Sequence, residues 1–207
     1  MTAETITQAD RALKLLRQRG MARLSEFKAE GIAEKTITRL ESHGRVVRLA
    51  RGLYQLPDAE LDANHTLAEA AKLVPKGVIC LISALQFHGL TVQTPSAVWM
   101  AIERSARKPN VNYPPLRVVR FGGAAYSMGI VQKEIERVVV QIYDPAKSVV
   151  DCFRYRNKIG LDVAIEALRE GLRERYYEPD DLWRYAKATR AWTVMRPYLE
   201  TMLADGA

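Results

Sequence analysis

The stretch that most constrains this chain is Glu34–Pro57, EKTITRLESHGRVVRLARGLYQLP. The spacing predicts a helix over 33–43. Ala33, Ile37 and Leu40 fall on one side of it, and Lys35, Thr38, Arg39 and Ser42 on the other. Gly44 suits the left-handed backbone that ends a helix. Val46-Val47 and Leu53-Tyr54 predict two short strands joined through Ala50-Arg51-Gly52. Arginines recur along this hairpin at Arg45, Arg48 and Arg51. A helix with a basic, hydroxyl-bearing outer face, followed by a basic hairpin, suits a nucleic-acid duplex. The helix enters a major groove while the hairpin touches flanking phosphates. The expected DNA-binding residues are therefore Lys35, Thr38, Arg39, Ser42, Arg45, Arg48 and Arg51.

The residues before this stretch complete a recognisable order. Thr7 is placed to cap a helix over 7–19, with Asp10 three residues on as a partner. Ala12, Leu13, Leu15 and Leu16 form its apolar stripe, and Gly20 stops it. Met21–Leu24 fits only a bridging strand, and Ser25 is expected to cap a second helix that Gly31 ends. Helix, strand, helix, helix, strand, strand is the order of a winged helix-turn-helix. Helical triads with a hairpin also serve as protein-docking modules, so order alone leaves that alternative open. Charge favours DNA. The formal net charge is +7, and residues 1–56 carry 11 Lys+Arg against 6 Asp+Glu, most of the excess.

Pro57 and the acidic residues after it mark 58–64 as a linker between a domain at 1–57 and another at 65–207. A helix is expected over 66–73 and a buried one over 78–88, where VICLISALQFH is apolar throughout. His88 near its end reads as a structural residue stabilised by the helix dipole. Residues 96–142 change to β-rich runs, interrupted by the basic, proline-rich loop Arg104–Pro115, read as a hairpin loop. Asp144-Pro145 opens the first of four helices that fill the last third. The expected fold class is α+β. An N-terminal winged helix-turn-helix domain precedes a larger mixed domain with a mainly antiparallel sheet and a helical C-terminal third.

Other chemistries find little support. Cys80 and Cys152 lie in apolar surroundings and read as buried thiols of a reducing cytosol. The three histidines and two cysteines lack metal-ligand spacing, so no metal and no cofactor is expected. No run approaches the roughly 18 apolar residues that span a bilayer. The polar N-terminus is not a signal peptide, so a cytoplasmic protein without membrane contact is expected. A nuclease site can be assembled on paper from Tyr113, Tyr126, His88 and Lys133. The sequence has no acidic metal cluster, nucleophile elbow or phosphate-cradling glycine loop to support it. Catalysis is therefore not expected.

The chain resembles AbiEi-type antitoxins of abortive-infection AbiE type IV toxin–antitoxin systems. The likeness rests on RGLYQLP at Arg51–Pro57, LISALQFHGLT at Leu81–Thr91, VWMAI at Val98–Ile102 and YDPAKSVVDCFRYR at Tyr143–Arg156. It implies that the winged helix binds inverted repeats in double-stranded DNA of its own promoter and represses the operon. It also implies that the C-terminal domain neutralises a cognate nucleotidyltransferase-like toxin, without a need for stable contact. Arg104, Arg107, Lys108, Arg154 and Arg156 are candidates for an antitoxin or nucleic-acid surface. The alternative is a winged-helix transcriptional regulator whose C-terminal domain senses a ligand or partner.

Overall fold

Capping chemistry sets the first element. A computed structural model describes residues 6–204. In it the Thr7 hydroxyl accepts from the Asp10 amide, the Asp10 carboxylate accepts from the Thr7 amide (both 3.2 Å), and helix α1 (Gln8–Arg19) follows. Strand β1 (Met21–Arg23) leads straight into α2 (Leu24–Ala29). Because the strand runs into the helix without a loop, the N-cap is Arg23 and not the expected Ser25. The Glu26 carboxylate, three residues on, reaches back to accept the Arg23 amide at 2.7 Å. Helix α3 (Glu34–Ser42) and strands β2 (Val47–Ala50) and β3 (Leu53–Gln55) complete the motif. The three strands form an antiparallel sheet of order β1-β3-β2.

The α1 stripe of Ala12, Leu13, Leu15 and Leu16 is buried as expected, against Phe27, Ile37, Leu40, Val46 and Tyr54. Ala33 is exposed at the N-cap of α3, and Ile32 takes the core position beside it. The result is a winged helix. Residues 57–64 carry no helix or strand, and α4 (His65–Leu73) follows. Helix α4 packs on β1, and Lys72 reaches Glu26 at 2.9 Å.

The chain forms two compact units. The first takes in Met1–Pro75, Val111–Pro114 and Glu134–Val140, and the second Lys76–Asn110, Pro115–Lys133 and Gln141–Ala207. The first unit thus runs past 57–64 to Pro75.

The segment 78–88 is not one helix. It is a two-residue strand β4 (Val78–Ile79) and a helix α5 (Leu81–Phe87), with Cys80 extended between them at φ −146° and ψ 175°. Residues 78–85 are buried on every side, so no polar face marks the turn from strand to helix. Strands β5 (Val98–Glu103) and β6 (Leu116–Phe121), the short helix α6 (Ala124–Ser127), and strands β7 (Ile130–Ile135) and β8 (Val138–Tyr143) follow.

The second sheet has the order β6-β5-β4-β8-β7. Strand β5 runs parallel to β6 in a register from Val98↔Leu116 to Glu103↔Phe121, and β4 runs parallel to β8 but antiparallel to β5. The expected mainly antiparallel pairing is thus a mixed sheet within the α+β class. Residues 104–115 are therefore no hairpin loop. They form a crossover long enough to bring the chain back to the same end of the sheet.

Helices α7 (Pro145–Arg154), α8 (Arg156–Ile159), α9 (Leu161–Arg173), α10 (Pro179–Ala188) and α11 (Trp192–Ala204) fill the C-terminal third. The Asp144 carboxylate caps α7 by accepting the Lys147 amide at 2.8 Å, with Pro145 in the first turn. Helix α7 packs against α5, α9 and α10, and its Ala146, Val149, Val150 and Phe153 lie at the centre of the core.

Candidate nucleic-acid interface

Helix α3 buries Ile37 and Leu40 and turns the opposite face to solvent. Lys35, Thr38, Arg39 and Ser42 are all exposed. The hydroxyls are held by their own helix. Thr38 donates to the Glu34 carbonyl at 3.2 Å and Ser42 to the Arg39 carbonyl at 2.9 Å. Each hydroxyl oxygen keeps lone pairs available to an incoming donor. Glu34, at the start of the same helix, is paired with Lys28 at 2.7 Å.

The C-terminus of α3 closes with Gly44 at φ +67° and the Arg45 amide donating to the Leu40 carbonyl at 2.9 Å. That turn feeds Arg45 and then β2. A register shift between Arg48 and Ala50 bends the wing strand, and the tip turns at Arg51-Gly52. The Gly52 carbonyl accepts the Leu24 amide at 2.8 Å, which pins the wing to the start of α2. Arg45, Arg48 and Arg51 are exposed.

Pairing divides the basic residues of this unit. Arg19 and Lys72 hold Glu26, Arg19 also holds Glu30, and Lys28 holds Glu34. Burial pushes the Glu26 carboxyl up, but the Arg23 amide, Lys72 and Arg19 outweigh it and leave it below the usual range. By contrast, among the described residues no carboxylate lies in ion-pair contact with Lys35, Arg39, Arg45, Arg48 or Arg51. The cations that are paired brace the helices; those on α3 and the wing are available to an external anion. Sequence shows the positions of both sets but not this division.

In the second unit, Arg104, Arg107 and Lys108 are exposed on the 104–115 crossover. Arg154 donates to Asp151 at 2.7 Å and Arg156 to the Phe153 carbonyl at 3.1 Å. Arg104 and Arg154 line one cleft, where they meet Arg120 of β6. Sequence reasoning passed over Arg120, which with Arg117 is one of the two exposed residues of LRVVRF.

Two residues of the nuclease alternative are engaged elsewhere. The Tyr126 hydroxyl donates to the Lys76 carbonyl at 2.6 Å, and His88 Nε2 donates to the Tyr143 carbonyl at 2.8 Å. Burial, aided by Lys133, depresses the His88 pKa, and the bond to Tyr143 fits the structural role read from sequence. Among the described residues, no group of three or more His, Cys, Asp or Glu is arranged to hold a metal ion. Cys80 and Cys152 are free and buried, and burial pushes both thiols well up. Among the described residues, no helix is long and apolar enough to cross a membrane.

Residues 10–57 match a family model described as "Transcriptional regulator, AbiEi antitoxin". The AbiEi match begins inside α1 and ends two residues past β3, so it covers the winged helix and less than a quarter of the chain. It bears out the AbiEi resemblance for this segment and supports a role as an antitoxin transcriptional regulator. Among solved structures, the chain is similar to one described as the crystal structure of RV2827C protein from Mycobacterium tuberculosis. The TM-score is 0.66 at 15% identity, covering 97% of this chain and 79% of the other. At that identity the likeness concerns the fold, and it extends through the second unit. No curated protein matches the chain.

Proposed function

We propose that this protein is a DNA-binding transcriptional autorepressor that also serves as the antitoxin of a type IV toxin–antitoxin system. The supporting observation is the set of five exposed cations on α3 and the wing without carboxylate partners, inside the segment that matches the AbiEi antitoxin regulators. Helix α3 enters the major groove of an inverted repeat in the protein's own promoter. Lys35, Thr38, Arg39 and Ser42 face base edges and phosphates, while Arg45, Arg48 and Arg51 hold the flanking backbone. The second unit carries the neutralisation of a cognate nucleotidyltransferase-like toxin, a functional partnership that requires no stable complex. The protein acts in the cytoplasm and needs no catalysis or cofactor of its own.

Fluorescence anisotropy on the promoter fragment tests the DNA surface. The Arg39→Ala/Arg51→Ala variant removes two phosphate contacts. The slope of log affinity against log salt should fall by about 1.8, roughly 0.9 per contact on a duplex. Unchanged affinity and slope would remove α3 and the wing from the interface. The second reading, a regulator with a ligand-sensing C-terminal unit, is favoured by the arginine-lined cleft.

A further inference from the structure

The parallel strands β5 and β6 end side by side, Glu103 opposite Phe121. In open α/β sheets, ligands bind beyond the carboxyl ends of the parallel strands, and this mixed sheet shares that feature at its β5-β6 edge. Here that space is a cleft of about 640 Å³, lined by Glu103, Arg104, Arg120, Gly122, Gly123 and Arg154 with Phe121. Its size falls within the range of small-molecule sites, roughly 300–1,000 Å³. Gly122 and Gly123 leave one wall without side chains. A Cβ on Gly122 would already stand 3.3 Å from the Arg104 Cβ.

Two of the three guanidinium groups are held in place by the protein, Arg120 by backbone carbonyls and Arg154 by Asp151, while Arg104 is free to turn toward a ligand. Arg120 donates to the carbonyls of Arg104 (2.7 Å) and Ala106 (2.6 Å), which fixes the start of the crossover. Arg154 lies 5.2 Å over the Phe121 ring, with one nitrogen committed to Asp151. Among the described residues, neither Arg104 nor Arg120 has a carboxylate in ion-pair contact. The single carboxylate of the lining, Glu103, accepts the Ser105 amide at 2.9 Å and the Ser105 hydroxyl; those bonds hold its pKa down, so it stays charged. Three cations against one anion leave the cleft positive. Planar guanidinium forks match the oxygen geometry of phosphate, and the two that are already held, Arg120 and Arg154, lose little freedom on binding it.

We propose that this cleft is a binding site for a phosphorylated small molecule. The phosphate sits among Arg104, Arg120 and Arg154, and the remainder of the ligand lies over Gly122-Gly123.

Isothermal titration calorimetry on the full chain tests this, with pyrophosphate, ATP and adenosine as probes and a single-stranded oligonucleotide as a fourth arm. Pyrophosphate and ATP should bind and adenosine should not. Arg104→Glu should weaken both by tenfold or more, whereas Arg107→Glu, outside the lining, should leave them unchanged. Arg104 is exposed and its side chain makes no hydrogen bond, so the variant should fold; an unchanged melting temperature checks this. Arg154→Lys should keep the Asp151 pair but weaken binding through loss of the fork. Promoter binding should be the same in Arg104→Glu and wild type, which separates this site from the wing. No binding of either phosphate probe at millimolar concentration would overturn the proposal, as would binding indifferent to Arg104→Glu. Oligonucleotide binding that needs Arg104 while ATP and pyrophosphate do not bind would overturn it in favour of a nucleic-acid strand.

Discussion

Gly20 and Gly44 share almost the same backbone angle, φ +68° and +67°, but not the same surroundings. A Cβ on Gly44 meets nothing within 4 Å, whereas one on Gly20 would lie 1.9 Å from the Glu136 carbonyl oxygen. Both positions end a helix at positive φ, where a side chain costs about 1 kcal/mol, and Gly20, with ψ −61°, lies outside even the left-handed helical well. Gly44→Ala should therefore cost about that and little more. Gly20→Ala adds a backbone clash that no rotamer can relieve. Its neighbour in the clash is itself fixed. The Glu136 carboxylate accepts the Asp62 amide at 2.6 Å and meets His65 Nδ1 at 2.8 Å. Urea titrations of both variants check this; equal midpoints would show that the Glu136 segment yields. The helix stop at Gly20 was legible from sequence because glycine punctuates locally. The contact with Glu136 was not, since it joins residues more than a hundred positions apart.

The same division between local and distant information recurs among the elements. Thr7, Gly31, Gly44 and Asp144-Pro145 marked their boundaries correctly because each acts within one turn of chain. The strand at Val78–Ile79 was hidden inside an apolar run, and the parallel pairing of β5 with β6 was hidden behind a basic loop. In both cases the deciding partner is remote in sequence. The exposed α3 face could be read from periodicity, but the grouping of Arg104, Arg120 and Arg154 depends on sheet order.

Helix α7 carries a further feature that pattern alone could not reveal. Lys147 and Asp151 are fully buried and directly bonded, with Arg154 as a second cation on Asp151. Burial pushes the Asp151 carboxyl up and the Lys147 amine down, each opposed by the other's charge. The Lys147 ammonium also lies 4.1 Å from the Tyr143 ring centroid and 5.1 Å from that of Phe121. Removing one partner strands the other. Asp151→Ala should cost about 3–5 kcal/mol of stability, while Lys147→Met/Asp151→Leu should cost much less. Arg154 is partly exposed and can turn its charge to water in the double variant. Denaturant midpoints of the single and double variants decide it. A single variant as stable as the double would show that the pair is not effectively desolvated.

For the whole molecule, charge is unevenly shared. Of the net +7, +5 belongs to residues 1–56, within a chain where the 151 further residues are nearly balanced. Such a distribution draws one end of the protein to a polyanion and leaves the remainder free for another task. If repression and neutralisation use different units, a change confined to the wing should separate them. The Arg39→Ala/Arg51→Ala variant should derepress a reporter driven by the native promoter. It should still protect cells in which the cognate toxin is expressed from an unrelated promoter, because no stable complex on the operator is needed for that task. Reporter output and colony survival, measured at matched protein levels by immunoblot, give both readings from one strain. Loss of protection together with derepression would mean that DNA binding is itself the antitoxin activity, and that the second unit serves the first.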